Sequence, residues 1–520
     1  MKKAFPFVWR YLAVVVISCL LTFVISQSKA GAVEAANANV ALPAAIGVDG
    51  ARHLLNRTGF SATPEEINAF AALSRADAAD RLLKAATITA ITAPPGWVNE
   101  PPPSPAAVQA KSPEERRALQ RLYGEQALEL REWWFREMMT TPSPLTEKMT
   151  LFWHNHFATS QQKVKFTPLL YQQNVLLRRN ALGNFGTLLR EIAHDPAMLI
   201  YLDGANSRKE QPNENFAREV MELFTLGEGH YSEKDIKEAA RAFTGWSVDR
   251  ESGKFMFRRG IHDYGVKTVF NKTGNFEGNE IIDLLLAKPE TAEFITRKLS
   301  TEFVTPNPDE TEVKRVAAIF KDSGYNIAKL MRTLLTSDAF YAPANRAALI
   351  KSPVEFVVGT LKTFEIQTPN LNLRTFVIAS ALLGQNVFTP PNVKGWPGGE
   401  VWINSATLLG RKQLLDRLFS NEDWMEVVMR NIDEMAMRNG EPPPVGREAR
   451  MQRQLQRQMG TLNWNLDKWA TQYQQAHGAN TREDLTRVVL AIAPQSAITV
   501  SENPADWVRQ LVADPAYQLK

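Results

Sequence analysis

The sequence predicts a mainly α, multi-helix globular protein with one small antiparallel β excursion around residues 245–270. Three observations carry that expectation. Apolar residues recur three and four apart, as at Phe216, Val220, Leu223 and Phe224, the period of a helix that turns one face to a core. Helix starts repeat one grammar, a capping side chain followed by proline or an acidic residue, as in Thr63-Pro64-Glu65-Glu66, Asp195-Pro196 and Ser352-Pro353-Val354-Glu355. Such starts satisfy the free amides of a first turn. Only around Gly245 to Phe270 do short β-prone runs appear between turn residues.

The first 30 residues read as a secretory signal peptide. Lys2, Lys3 and Arg10 precede an apolar run from Tyr11 to Ile25, and Ser28-Lys29-Ala30 offers a small-x-small cleavage site. The run is about 15 residues long, short of the roughly 20 that cross a bilayer comfortably. Cleavage is therefore expected after Ala30, leaving no stable membrane span and a periplasmic or extracellular protein. The chain holds 60 Lys+Arg and 56 Asp+Glu, and four of the basic residues (Lys2, Lys3, Arg10, Lys29) precede the cut. The mature protein would be formally neutral, so its net charge gives no footprint for nucleic acid. The single cysteine, Cys19, also precedes the cut, which excludes disulfides and cysteine nucleophiles from the mature chain.

Residues 31–48 are Ala-rich and read as a flexible tether. Residues 49–420 read as a helical core domain carrying the β insert, and residues 421–520 as a peripheral helical subdomain. Within the core domain, two short helices are expected between Ala51 and Ala86, then a stiff linker at Pro101-Pro102-Pro103-Ser104-Pro105. A long helix follows from about Ser112 to Met139, ending in Trp133-Trp134-Phe135. Ser143-Pro144 starts the next, whose apolar face is Leu145, Met149, Phe152 and Trp153. His156 continues that stripe, whereas His154 points about 200° away, so the pair cannot share one metal while the helix persists. The expected strands are Gly245–Val248, Lys254–Arg258 and Val266–Phe270. The stretch from Pro390 to Gly399 is too rich in Pro and Gly to be helical, and leads through Trp402 into a helix beginning near Asn404.

Candidate chemistry centres on the helix from Asn213 to Gly227. Asn213 can cap its first turn and Gly227 can supply the left-handed residue that ends it. Asn215, Arg218, Glu219 and Glu222 form a polar stripe, with Glu219 nearest the apolar face. A half-buried carboxylate beside an Arg and an Asn suits acid–base work, and it equally suits an ordinary helix with a salt-bridged outer face. His194, Asp203, His262 and Asp263 lie at helix ends and loops, where scaffolded sites usually sit. Two histidines with two or three carboxylates suffice for general acid–base hydrolysis or for a divalent ion with a bound water. No tight metal-ligand motif, nucleophile elbow or phosphate loop accompanies them. Trp246, Trp396 and Trp402 lie in non-helical or boundary segments, where indoles either stack on a glycan or pin loops to the core.

Several of these stretches occur together in a recognisable order. Trp153-His154-Asn155-His156-Phe157, His194-Asp195-Pro196-Ala197-Met198, the 213–227 segment, Ala240 through Trp246, His262-Asp263, Lys351-Ser352-Pro353 and Pro390 through Pro397 together resemble the bacterial exported family called domain of unknown function 1800. The likeness runs from His53-Leu54-Leu55 to Asp514 through Gln518, with Tyr264 standing where a proline is commoner. The resemblance implies an exported, largely helical protein without an agreed activity. It also implies a companion from the family called domain of unknown function 1501, which resembles the sulfatase and alkaline-phosphatase fold.

The resulting expectation is a hydrolase-like protein acting on an extracellular or cell-envelope polymer. Glu219 would be the acid–base group, His156 or His262 its partner and His194 a further catalytic candidate. Asn215, Arg218, Glu222, Asp203, Asp263, Trp396 and Trp402 would bind, and a divalent ion is the cofactor such a set could hold. The competing expectation is a non-enzymatic helical scaffold that binds a glycan or a partner, such as the sulfatase-like companion.

Overall fold

The computed structural model describes residues 45–249, 251–366, 373–420, 464–499 and 501–520. The segment read as a signal peptide, most of that read as a tether, and residues 421–463 lie outside them. The described residues form a mainly α protein with 22 helices and two small antiparallel two-stranded sheets. The caps read from the sequence at Thr63, Asp195 and Asn213 are in place. Ser112 and Ser352 each close a capping box, and the side chains of Asp195 and Asn213 accept from the amides of Met198 and Phe216.

The helices pack around two apolar clusters. The first gathers Leu54, Met149, Trp153, Phe185, Phe216, Phe224, Ile295 and Phe320, the second Trp134, Phe135, Phe356, Phe364, Leu418, Trp469, Leu511 and Tyr517. The Pro144–His156 helix contributes Met149 and Trp153 to the first and Leu151 to the second. It is consequently buried on every side rather than along one stripe. A buried ion pair ties it to its neighbours. Arg178 grips both oxygens of Glu147 at 2.6 and 2.9 Å, and the Trp134 indole donates to the same carboxylate at 2.8 Å.

Four expectations need correction. The tether ends earlier than residue 48, because a helix spans Gly47–Thr58 and the Ile46 amide donates to Leu73 O at 2.8 Å. The described part of the C-terminal segment is not peripheral: Leu466, Trp469, Leu485, Val508 and Tyr517 lie in the second core and Lys520 is buried. The β excursion is two separate hairpins. Strand β1 (Trp246–Val248) pairs with β2 (Phe255–Phe257), and β3 (Lys267–Val269) pairs with β4 (Lys272–Gly274). The second hairpin turns at Phe270 and Asn271, both at positive φ (52° and 60°), the two-residue geometry that strand twist favours. Finally, the 213–227 segment is α-helical only over Glu214–Met221 and continues as a π-turn over Glu222–Leu226. The Thr225 hydroxyl donates to Val220 O at 2.7 Å, and Gly227 ends the segment at φ +77°.

Candidate functional site

The π-turn brings His156 to the segment first singled out, but not to its carboxylates. His156 Nε2 lies 3.2 Å from Phe224 O and its Nδ1 3.0 Å from Lys298 Nζ. An ammonium only donates, so Nδ1 accepts and the Nε2 proton goes to the Phe224 carbonyl. Burial, reinforced by the Lys298 charge, holds this imidazole neutral well below its ordinary range, and burial lowers Lys298 itself to about 8. Glu219 is half-buried, and its carboxyl is raised by burial first and by neighbouring Glu222 second, with Lys394 opposing. Among the described residues no hydrogen bond, ion pair or ring contact joins Glu219 to a histidine.

The other predicted site residues are engaged locally. His194 is wedged between Trp246 and Phe255, each ring 4.3 Å away, and burial lowers it to about 4. His262 Nδ1 donates to Thr244 O at 2.7 Å, while its Nε2 is buried without a partner. Asp263 is gripped by Arg241 at 2.7 and 3.2 Å, which holds its carboxyl below the usual range. Arg218 turns away from Glu222 to bind Glu233 with two bonds of 2.8 Å, and Glu222 accepts from the Tyr231 hydroxyl. Asn215 is exposed. Asp203, at φ +58°, pairs with Lys163 at 2.6 Å. It lines an open cleft of about 420 Å³ with Arg258, Asp249, Leu169 and Val248. Among the described residues no three His, Cys, Asp or Glu side chains are placed to hold a metal ion together.

A second cleft, of about 640 Å³, opens between the Pro113–Thr140 helix and the loop before Thr167. Its lining includes Arg116, Arg131 and Lys165 together with Gln161, Gln162 and Asn386, and no carboxylate. Arg131 is 7% exposed. Its guanidinium donates only to neutral oxygens: Asn386 Oδ1, Val387 O, Ala127 O, Gln161 Oε1 and Thr389 Oγ1, at 2.6–3.0 Å. Burial lowers it to about 10 without discharging it at neutral pH. Arg116 and Lys165 are exposed and make no ion pair among the described residues. Gly124 lines the same cleft in mid-helix, and a Cβ added there would meet nothing within 4 Å.

A family model described as protein of unknown function (DUF1800) matches residues 53–519. The chain belongs to the DUF1800 family. No curated protein and no solved structure matches it, so family membership fixes no activity and the chemistry rests on the side chains themselves.

In this DUF1800 chain the tryptophans proposed as glycan platforms are interior. Trp396 and Trp402 are 4% and 7% exposed, so neither offers a ring face to a ligand. The amide side chain of Asn155 pins the first of them, accepting from Trp396 N at 2.7 Å and donating to Trp396 O at 3.2 Å. Gly395 beside it has φ +79°, and an added Cβ would collide with Asn155. In Trp-His-Asn-His-Phe the asparagine thus holds the Pro/Gly-rich loop, while the histidines fill the two cores. The cleft residues were absent from the sequence-derived candidates, although Arg131 carried a signal. It shares a helical stripe with Ala127, Trp134, Phe135 and Met138, all buried, so an apolar face was carrying a guanidinium.

Proposed function

We propose that this protein is an exported binding protein whose 640 Å³ cleft takes an acidic group of an extracellular or cell-envelope glycan, such as a uronate, sulfate or phosphate. One observation carries the reading: three cationic side chains converge on a concave surface lined by amides and no carboxylate. A guanidinium held by neutral acceptors keeps its field for a ligand, and amides suit the hydroxyls of a sugar. Gly124 supports it further. Glycine in a helix interior costs about 1 kcal/mol relative to alanine. Nothing packs at that position, so the missing side chain leaves room in the cleft rather than serving a contact.

The test is calorimetric titration of the protein with uronate, sulfated and phosphorylated oligosaccharides beside neutral ones. Acidic ligands are expected to bind with affinity that falls as salt rises. Equal binding of neutral oligosaccharides, or binding by none, would contradict the reading. The companion from the 1501 family would then act on the polymer that this protein holds.

A hydrolase-like reading keeps one favourable observation, the pair Glu219 and Glu222 on one face with Glu219 raised by burial first and by the second charge after it. Hydrolysis there would run through carboxylates alone, without the histidines. Glu219→Gln should then abolish turnover of an envelope polymer at unchanged stability; full activity in that variant would remove the reading.

A further inference from the structure

Away from both clefts, a knot of charge joins the two cores. Lys148 pairs with Glu355. Lys520 Nζ donates to Glu355 and, at 3.2 Å, to Glu302, whose side chain is partly exposed. Arg57 caps the carbonyls of Phe303 and Val304 at 2.9 and 3.0 Å. Arg411 donates to Gln518 Oε1 and Lys351 O at 3.0 and 2.8 Å. Lys351 completes the group, and its ammonium has no oxygen acceptor among the described residues; it lies 4.2 Å from the centre of the Tyr517 ring. Five basic side chains thus gather near two carboxylates, and burial, reinforced by the Arg411 and Lys520 charges, lowers Lys351 to about 7, so it is fully charged at neutral pH only beside a counter-charge. An uncompensated buried charge is costly unless something neutralises it.

A cavity of about 20 Å³ opens against this excess, lined by Lys351, Lys520, Glu355, Asn56, Ser61 and Thr363. That is room for one water-sized particle. Its walls also offer uncommitted donors. The Ser61 and Thr363 hydroxyls lie 2.6 Å apart, so one proton joins them and the other is free to point elsewhere. The Asn56 side-chain amide makes no hydrogen bond among the described residues. With the Glu355 carboxylate of the wall already taken by Lys148 and Lys520, the remaining ammonium, hydroxyl and amide around a one-atom cavity suit an anion without directional demands.

We propose that this cavity binds one small monovalent inorganic anion, chloride in size and charge, which serves as the counter-ion of Lys351 and fastens the two cores together. Occupancy stabilises the folded chain by mass action.

The experiment is thermal unfolding of the full mature protein at constant ionic strength, exchanging chloride or bromide for gluconate, which is too large for the cavity. A saturable rise in Tm is expected with the halides and not with gluconate. Lys351→Gln should raise the half-saturating halide concentration roughly tenfold or more, the loss of about one charge-assisted contact. Ser61→Ala removes a donor without touching a charge and should weaken saturation less; it gives the answer if the lysine variant fails to fold. Bromide should also give an anomalous peak beside Lys351 in crystals. Identical responses to halide and gluconate in the wild type would overturn the proposal, as would a halide response unchanged in both variants.

Discussion

The Glu219 face and the Arg131 cleft both present charged side chains around a centre drawn back from solvent, half-buried in the first and buried in the second, but they differ in how the charge is balanced. Around Glu219 both cations are already taken, Arg218 by Glu233 and Lys394 by Glu228 at 3.1 Å, while Glu222 accepts from the Tyr231 hydroxyl. Around Arg131 the acceptors are neutral, Arg116 and Lys165 have no ion pair among the described residues, and the surface between them is hollow. Paired surface charges contribute little and leave nothing over for a ligand. Like charges around a hollow cost the folded state and reward an incoming counter-charge. The polar stripe that drew the eye in the sequence has its cations committed to carboxylates, whereas the cleft does not.

The widest test of that contrast is pH. Catalytic histidines titrate near neutrality, whereas these are held neutral by burial. An unfolded histidine takes up its proton near 6.5, but His53 and His154 resist it down to about 3 and His194 to about 4. The unfolded state therefore binds more protons across that window. The stability these groups contribute is complete above pH 6.5 and is lost as pH falls. Urea unfolding is expected to lose on the order of 5 kcal/mol between pH 7 and 4 from His53 and His154 together. A flat profile would show that these imidazoles are open to solvent.

Arg131→Met should cost roughly 3–4 kcal/mol in the same assay, because it strands Asn386, Gln161 and Thr389 without their shared donor. A cost below about 1 kcal/mol would mean that the guanidinium does not organise the cleft. Removing the two exposed cations separates binding from folding. Arg116→Ala with Lys165→Ala should weaken an acidic oligosaccharide by about 1–2 kcal/mol and flatten its salt dependence, with Tm unlowered or slightly raised. The smallest effect is expected at Glu219. Glu219→Gln should shift stability by under about 0.5 kcal/mol and leave ligand binding intact. A loss of binding there would return the site to the face first chosen.

What the sequence made legible was local. Thr63, Asp195, Asn213 and Ser352 cap helices because the side chain and the amide it accepts from lie within a few residues of each other. The inward turn of His156 followed from helical phase alone. Nonlocal packing was hidden. The π-turn depends on Thr225 bonding back to Val220 and on His156 reaching Phe224 from another helix. Strand β4 escaped notice because its turn, Phe270-Asn271, adopts positive φ without glycine. Trp396 looked like an exposed platform until Asn155, far away in sequence, was found holding its backbone at both ends. Arg131 was legible in principle, since a charged residue on an apolar stripe is either an error of phase or a buried centre.

The most direct test lies at Gly124. Gly124→Met adds a good helix former to an exposed interior turn and a side chain to the open cleft. The expected result is a protein more stable by roughly 0.5–1 kcal/mol that no longer binds the acidic oligosaccharide. A variant that gains the stability and binds as the wild type does would contradict the cleft as the ligand site.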